Sequence, residues 1–122
     1  MRLIIAGSRD IPPDYVFDYL EHQTHFNRVV TEVICGLAKG PDLAGKHWAE
    51  VQNKRGFHIF VKEFPADWDK YKKAAGYIRN IEMAKYADEL IAFWDGKSRG
   101  TRHMIQMMLD LNKPFQVILI RP

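Results

Sequence analysis

The chain reads as α/β, a single Rossmann-like three-layer domain spanning residues 1–122 with a mainly parallel five-stranded sheet. Three observations predict this class. Short apolar runs alternate with stretches of helical periodicity along the whole length, an order that right-handed crossovers turn into a parallel sheet with helices on both faces. Two of the runs, residues 3–6 and 90–94, are continuously apolar, as strands covered on both sides are. Three loops that follow strands carry glycine beside a basic residue, and in such a sheet those loops collect along one rim.

The first strand, 3–6, ends at Gly7-Ser8-Arg9-Asp10. Pro12 and Pro13 suit a helix start, and Val16, Tyr19 and Leu20 give that helix an apolar stripe. Residues 29–35 form the second strand, with the polar Thr31 and Glu32 blurring its beginning. It stops at Gly36-Leu37-Ala38-Lys39-Gly40-Pro41-Asp42. Pro41 fits a first helical turn, and Leu43, Ala44, His47, Trp48 and Val51 recur at helical spacing, Trp48 as core. Gly56 punctuates, and 57–61 is the third strand. An irregular aromatic and charged link, 63–73, leads into a helix marked by Ala74, Ile78, Ile81 and Ala84 that runs to about Ala87. The fourth strand, 90–94, ends with Trp94 as a core side chain. After the turn 95–101, Met104, Ile105, Met108 and Leu111 mark one face of the last helix. Asn112-Lys113-Pro114 closes it, and 115–120 is the fifth strand.

Nearly half the residues are apolar (47%) and about a quarter charged (27%), the balance of an ordinary globular domain. No apolar run approaches membrane-spanning length, and the first is too short for a signal peptide, so the expectation is a cytoplasmic protein with no membrane partner. A single cysteine, Cys35, excludes an internal disulfide and a cysteine-rich zinc site, and reads as a small buried hydrophobe ending a strand. The five histidines show no zinc-ligand grouping. His22 and His25 are at most a weak transition-metal pair and otherwise simply exposed, so no metal and no cofactor are expected. A formal charge of +3 suits an anionic ligand, but the basic residues are dispersed, which argues against nucleic acid without excluding it.

The stretch 89–101, ELIAFWDGKSRGT, carries the chemistry: a buried strand, a glycine-bearing turn and a helix N-terminus. Glycines let the backbone approach a ligand, and the first amides of a helix point outward unpaired. Asp95, Gly96, Ser98, Gly100 and Thr101 are therefore candidate ligand residues, with Lys97, Arg99 and Arg102 supplying positive charge. Plain turn and cap chemistry favours the same residue types. The case strengthens because Gly7, Ser8 and Arg9 after the first strand, and Gly36, Lys39, Gly40 and Asp42 after the second, repeat the combination. Ser8 and Arg9 suit a phosphate or a capped turn; Lys39 suits the ligand or solvent; Asp42 suits a ribose hydroxyl or the positive end of a helix. Trp68 and Tyr71 can stack on a base or pack the link onto the core. His103 is the histidine nearest the phosphate loop. Neither GxGxxG nor GxxxxGK[ST] occurs, which speaks against a standard dinucleotide fingerprint or a triphosphate P-loop.

Taken together, Gly7-Ser8-Arg9, Gly36-x-Ala38-x-Gly40-x-Asp42, Ala66-Asp67-Trp68, Ala75-Gly76-x-x-Arg79-Asn80-x-x-Met83 and Phe93-Trp94-Asp95-Gly96-x-Ser98-x-Gly100-Thr101 resemble the SLOG superfamily, in its compact YspA-like branch. The resemblance spans nearly the whole chain. It implies a Rossmann-like domain that binds nucleotides or nucleotide-derived ligands such as ADP-ribose or NAD-like molecules, as a sensor, carrier or sequestering protein. It also adds Arg79 and Asn80 to the ligand residues and implies a homo-oligomer. Relatives include the DNA-processing protein DprA and cytokinin-activating phosphoribohydrolases. The latter resemble PGGxGTxxE, with a catalytic Glu one turn into the helix; here Gly100-Thr101 match and Met104 stands where the Glu would be. Catalytic residues are thus unassigned, and N-glycoside hydrolysis would need a carboxylate from Asp42, Glu82 or Asp95.

Overall fold

The computed structural model of the protein describes residues 1–23, 26–37 and 40–120. The chain runs β1 (Arg2–Gly7), α1 (Pro13–Glu21), α2 (Phe26–Val29), β2 (Glu32–Cys35), α3 (Pro41–Lys54), β3 (Phe60–Glu63) and α4 (Trp68–Tyr71). A 3-10 turn (Lys72–Ala74) leads to α5 (Ala75–Tyr86), β4 (Glu89–Trp94), α6 (Arg99–Asp110) and β5 (Phe115–Leu119). The five strands form one sheet in the order β3-β2-β1-β4-β5, and every pairing is parallel. With helices on both faces, this is a Rossmann-like three-layer domain.

Alternation along the strands sorts the core into two layers. Leu3, Ile5, Val33, Ile91 and Phe93 face α1 and α3, where Val16, Leu20, Trp48 and Ala49 complete one cluster. Ile4, Ala6, Ile34, Leu90 and Ala92 face α5 and α6, where Met83, Ala84, Met104 and Met108 complete the other. Each large side chain so buried contributes about 1.5–3 kcal/mol. Both layers meet across β1 and β4, which pair in register from Leu3↔Glu89 to Gly7↔Phe93. The rim just beyond Gly7 and Phe93 therefore lies at the end of this paired, two-sided core.

Several boundaries differ from the sequence reading. Val29 belongs to the single turn α2, and β2 begins at Glu32. The third strand starts at Phe60 rather than at residue 57, because Asn53 holds both backbone groups of Ile59: its Oδ1 accepts from Ile59 N (2.6 Å) and its Nδ2 donates to Ile59 O (2.8 Å). The link 63–73 is not wholly irregular, since Asp67 caps α4 by accepting from Lys70 N (3.0 Å). Leu111 lies past the end of α6 and is exposed, and Trp94 is only half-buried. Cys35 ends β2 fully buried, as expected, and Trp48 is core. Among the described residues, no helix is long and apolar enough to cross a membrane, and no cluster of His, Cys, Asp and Glu could hold a metal ion. His22 is exposed; His25 lies outside the described residues.

Candidate functional site

The chain leaves β1 towards β2 on one side and later returns to β4 on the other, so the loops after β1 and β4 diverge and open a crevice at the strand C-termini. The two loops are tied together at its base. Ser8 N donates to Phe93 O (2.9 Å), and Asp95 N donates to Ser8 Oγ (3.1 Å). Gly7 is required there by contact: a Cβ on it would lie 2.2 Å from Phe93 O and 2.8 Å from Pro41 Cγ. The β2 loop joins through Gly40, at φ 79°, whose missing side chain would press on Arg9 O at 3.0 Å. Leu37, at φ 64°, takes a conformation that costs an L-residue about 1–2 kcal/mol. Its amide is held by Cys35 Sγ (3.3 Å). Burial pushes the Cys35 thiol up to about 11, so it packs and hydrogen-bonds rather than reacting as a nucleophile at neutral pH.

The β4 loop is shaped from within. The Asp95 carboxylate accepts from Lys97 N and Ser98 N, both at 2.8 Å, and these amides, Ser98 first, hold it below the usual carboxylate range. Trp94 Nε1 donates to Ser98 O (3.0 Å). Ser98 then caps α6: its Oγ accepts from Thr101 N (3.4 Å) and lies 3.1 Å from Thr101 Oγ1. Position 100 faces open space, with nothing within 4 Å of where a Cβ would sit.

From the opposite side, α5 delivers Arg79 and Asn80. Arg79 donates from Nη1 to Gly36 O (2.6 Å) and from Nε to Asn80 Oδ1 (3.3 Å). Asn80, only 7% exposed, donates from Nδ2 to Gly100 O (3.2 Å) and lies 3.2 Å from His103 Nδ1. The pair thus clamps the β2 loop and the start of α6 to one helix. Burial lowers the affinity of His103 for a proton, which favours the neutral ring beside Asn80.

These elements enclose a cleft of about 210 Å³ whose lining includes Gly7, Arg9, Asp42, Arg79, Ser98 and Gly100, with Met104 in its floor. Two further depressions adjoin it. One, of about 330 Å³, lies against Gly36, Leu37 and Trp68; the other, of about 240 Å³, against Trp68, Tyr77 and Gly100. Arg9 and Arg79 line all three, and neither forms an ion pair with a described residue. Two arginines that form no ion pair with a described residue thus converge, with the Asp42 carboxylate also in the lining, on a concave, mixed surface of the kind that can take a polar ligand.

Of the residues singled out in the sequence, Gly7, Arg9, Gly36, Asp42, Trp68, Arg79, Asn80, Ser98, Gly100 and Thr101 meet on these three surfaces. Ser8, Gly40, Asp95 and Gly96 line none of the three surfaces. Lys39 lies outside the described residues. Tyr71 and Glu82 line a separate depression that also touches Arg79, and Glu82 forms no ion pair with it. Lys97, Arg99 and Arg102 are exposed. Tyr77 and Lys73 were not anticipated. The signal for Tyr77 was spacing, since it stands three residues before Asn80 on α5, whereas Lys73 lies in the preceding 3-10 turn and carried no such signal.

No protein-family model matches the chain, and no solved structure matches it. Among curated proteins, the Gene 61 protein of Mycobacterium phage D29 is 37% identical over 108 residues, covering 86% of this chain and 86% of the phage protein. At that identity and coverage, the chain belongs to the same family as the phage Gene 61 protein.

Proposed function

We propose that this domain binds a nucleotide or nucleotide-derived small molecule, of the ADP-ribose or NAD-like class, as a sensor, carrier or sequestering protein. The observation that carries the reading is the convergence of Arg9 and Arg79, neither of them in an ion pair with a described residue, on a cleft roofed by the glycine-bearing start of α6. Phosphate oxygens take guanidinium donors and outward helix amides together. The SLOG-like motifs support the same reading, because their Arg79, Asn80, Ser98 and Gly100 all line this cleft. Thermal-shift screening with nucleoside monophosphates, ADP-ribose, NAD and cyclic nucleotides tests it. A ligand at about 100 times its Kd adds about 2.7 kcal/mol. For a domain of this size that is a rise in Tm of roughly 10 °C. A flat response to every compound refutes the proposal.

A second reading, cleavage of an N-glycosidic bond in a nucleoside monophosphate or NAD-like substrate, is favoured by one observation. Asp42 places a carboxylate in the lining of the same cleft, and Asp95 and Glu82 do not line it. Met104, at the position of the phosphoribohydrolase Glu, offers no acid–base group. Chromatographic release of free base, lost in Asp42→Asn, is the expected sign of this activity; no release leaves binding alone. Single-stranded DNA binding is supported less, because the basic residues are dispersed along the sequence rather than gathered in a tract. Self-association belongs to the first reading, and sedimentation of the free and liganded protein tests it.

A further inference from the structure

We infer that the ligand's base, its planar aromatic part, occupies the depression lined by Trp68 and Tyr77, which makes a nucleoside 5′-phosphate, and a purine in particular, the minimal ligand. The inference rests on the nucleotide-binding reading above and adds to it which group goes where.

Two large aromatic side chains stand unusually open beside the cleft: Trp68 is 54% and Tyr77 45% exposed. Both line the same depression of about 240 Å³. Exposed aromatics of this size on a rigid rim leave apolar area uncovered, and a flat π-system is the guest that covers it without needing a fixed hydrogen-bond pattern. Both are held in place. Trp68 opens α4, whose first turn is capped by Asp67, and its Cη2 lies 3.7 Å from where a Cβ on Gly76 would sit. Tyr77 meets the His103 ring edge-on, with centroids 4.5 Å apart and planes at 60°. The bare Gly76 keeps the floor low, so a larger side chain there would rise into the space.

Position relative to charge selects among flat guests. The inner wall of the depression, Asn80 and Gly100, is shared with the central cleft, and Arg9 and Arg79 line both. An aromatic ring in the depression therefore sits next to the arginine-lined cleft, and Lys73 adds a further cation to the lining of the depression. A neutral aromatic would leave the arginines unanswered, and a bare phosphate would leave the aromatics uncovered. A base joined to a phosphate through a ribose satisfies both. Purines stack over more area than pyrimidines and gain more from the same aromatic face.

Isothermal titration with AMP and with ribose 5-phosphate separates the two parts of the ligand. The wild-type protein is expected to bind AMP at least about tenfold more tightly, the size of one base–aromatic stack. In Trp68→Ala, which removes the face, and in Gly76→Leu, which fills the space while leaving Trp68 present, the AMP affinity drops by about tenfold towards that of ribose 5-phosphate. Equal affinity for the two compounds in the wild type, or an AMP preference that survives both substitutions, overturns the base site while leaving an anion site standing. Binding of neither compound overturns the nucleotide reading together with it.

Discussion

Asp95 illustrates how a single carboxylate can shape a site without touching its guest. Its Oδ1 accepts the amides of both Ser98 and Lys97, and those bonds hold its proton affinity below the ordinary value of 3.8. A depressed carboxylate stabilises the fold above its unfolded pKa, and that contribution disappears as pH falls through the lower folded value. Between about pH 5 and about pH 3, the Tm of the wild type should therefore fall more steeply than that of Asp95→Asn. Parallel curves would show that the loop does not depend on the charge. Arg79 works in the opposite way, with Nη1 on Gly36 O, Nε on Asn80 Oδ1 and the side chain lining the cleft. Arg79→Ala should weaken AMP binding by more than about tenfold, and Arg79→Lys should recover only part of it, because an ammonium lacks the planar fork. Unchanged calorimetric affinity in Arg79→Ala would remove it from the site. At this scale the sequence was legible where a residue type has few uses, as with Arg9 and Gly7. It was opaque where the role depends on a neighbour: Ser8 suited a phosphate or a capped turn, and only the structure shows its hydroxyl accepting the Asp95 amide. Tyr77 falls on a position that the SLOG-like motif leaves open, so only its spacing from Asn80 pointed to the cleft.

The elements were most readable where burial is two-sided. β1 and β4 sit in the middle of the sheet, and their apolar runs cannot be anything else at that length. β3 is an edge strand with mixed exposure, so its pattern is weak and its start is set by the Asn53 side chain, which apolar periodicity does not register. The end of α5 is similarly set from afar. Lys113 Nζ donates to the carbonyls of Ala84, Lys85 and Ala87 at 2.7–2.9 Å, closing the last turn of a helix by an ammonium from the loop before β5. The sequence marked Lys113 only as part of a helix stop for α6. Lys113→Met keeps the stem and removes the donors, and should cost about 1.5–3 kcal/mol in chemical denaturation. Since α5 carries Arg79 and Asn80, the same variant should loosen AMP binding. An unaltered denaturation midpoint would show that water replaces the ammonium without loss.

At the scale of the whole molecule, the parallel order of strands with helices on both faces follows from alternation of elements and the handedness of crossovers, which is why that much of the architecture was readable from the chain alone. The meeting of three loops on one rim follows from that order, whereas the depth of the rim depends on side chains whose directions no periodicity reveals. Those loops come from far apart: the Ser8 hydroxyl and the Asp95 amide are separated by 87 positions. A partly unfolded chain therefore has no fragment that retains the cleft. In hydrogen exchange, saturating AMP should slow the most protected amides of β1 and β4 by one common factor, and slowing confined to the loops would contradict this. A guest lodged at the junction of β1, β2 and β4 would act as a rivet through the middle of the sheet. A cell that withdraws the guest would then alter how long the protein survives proteases as well as what it binds.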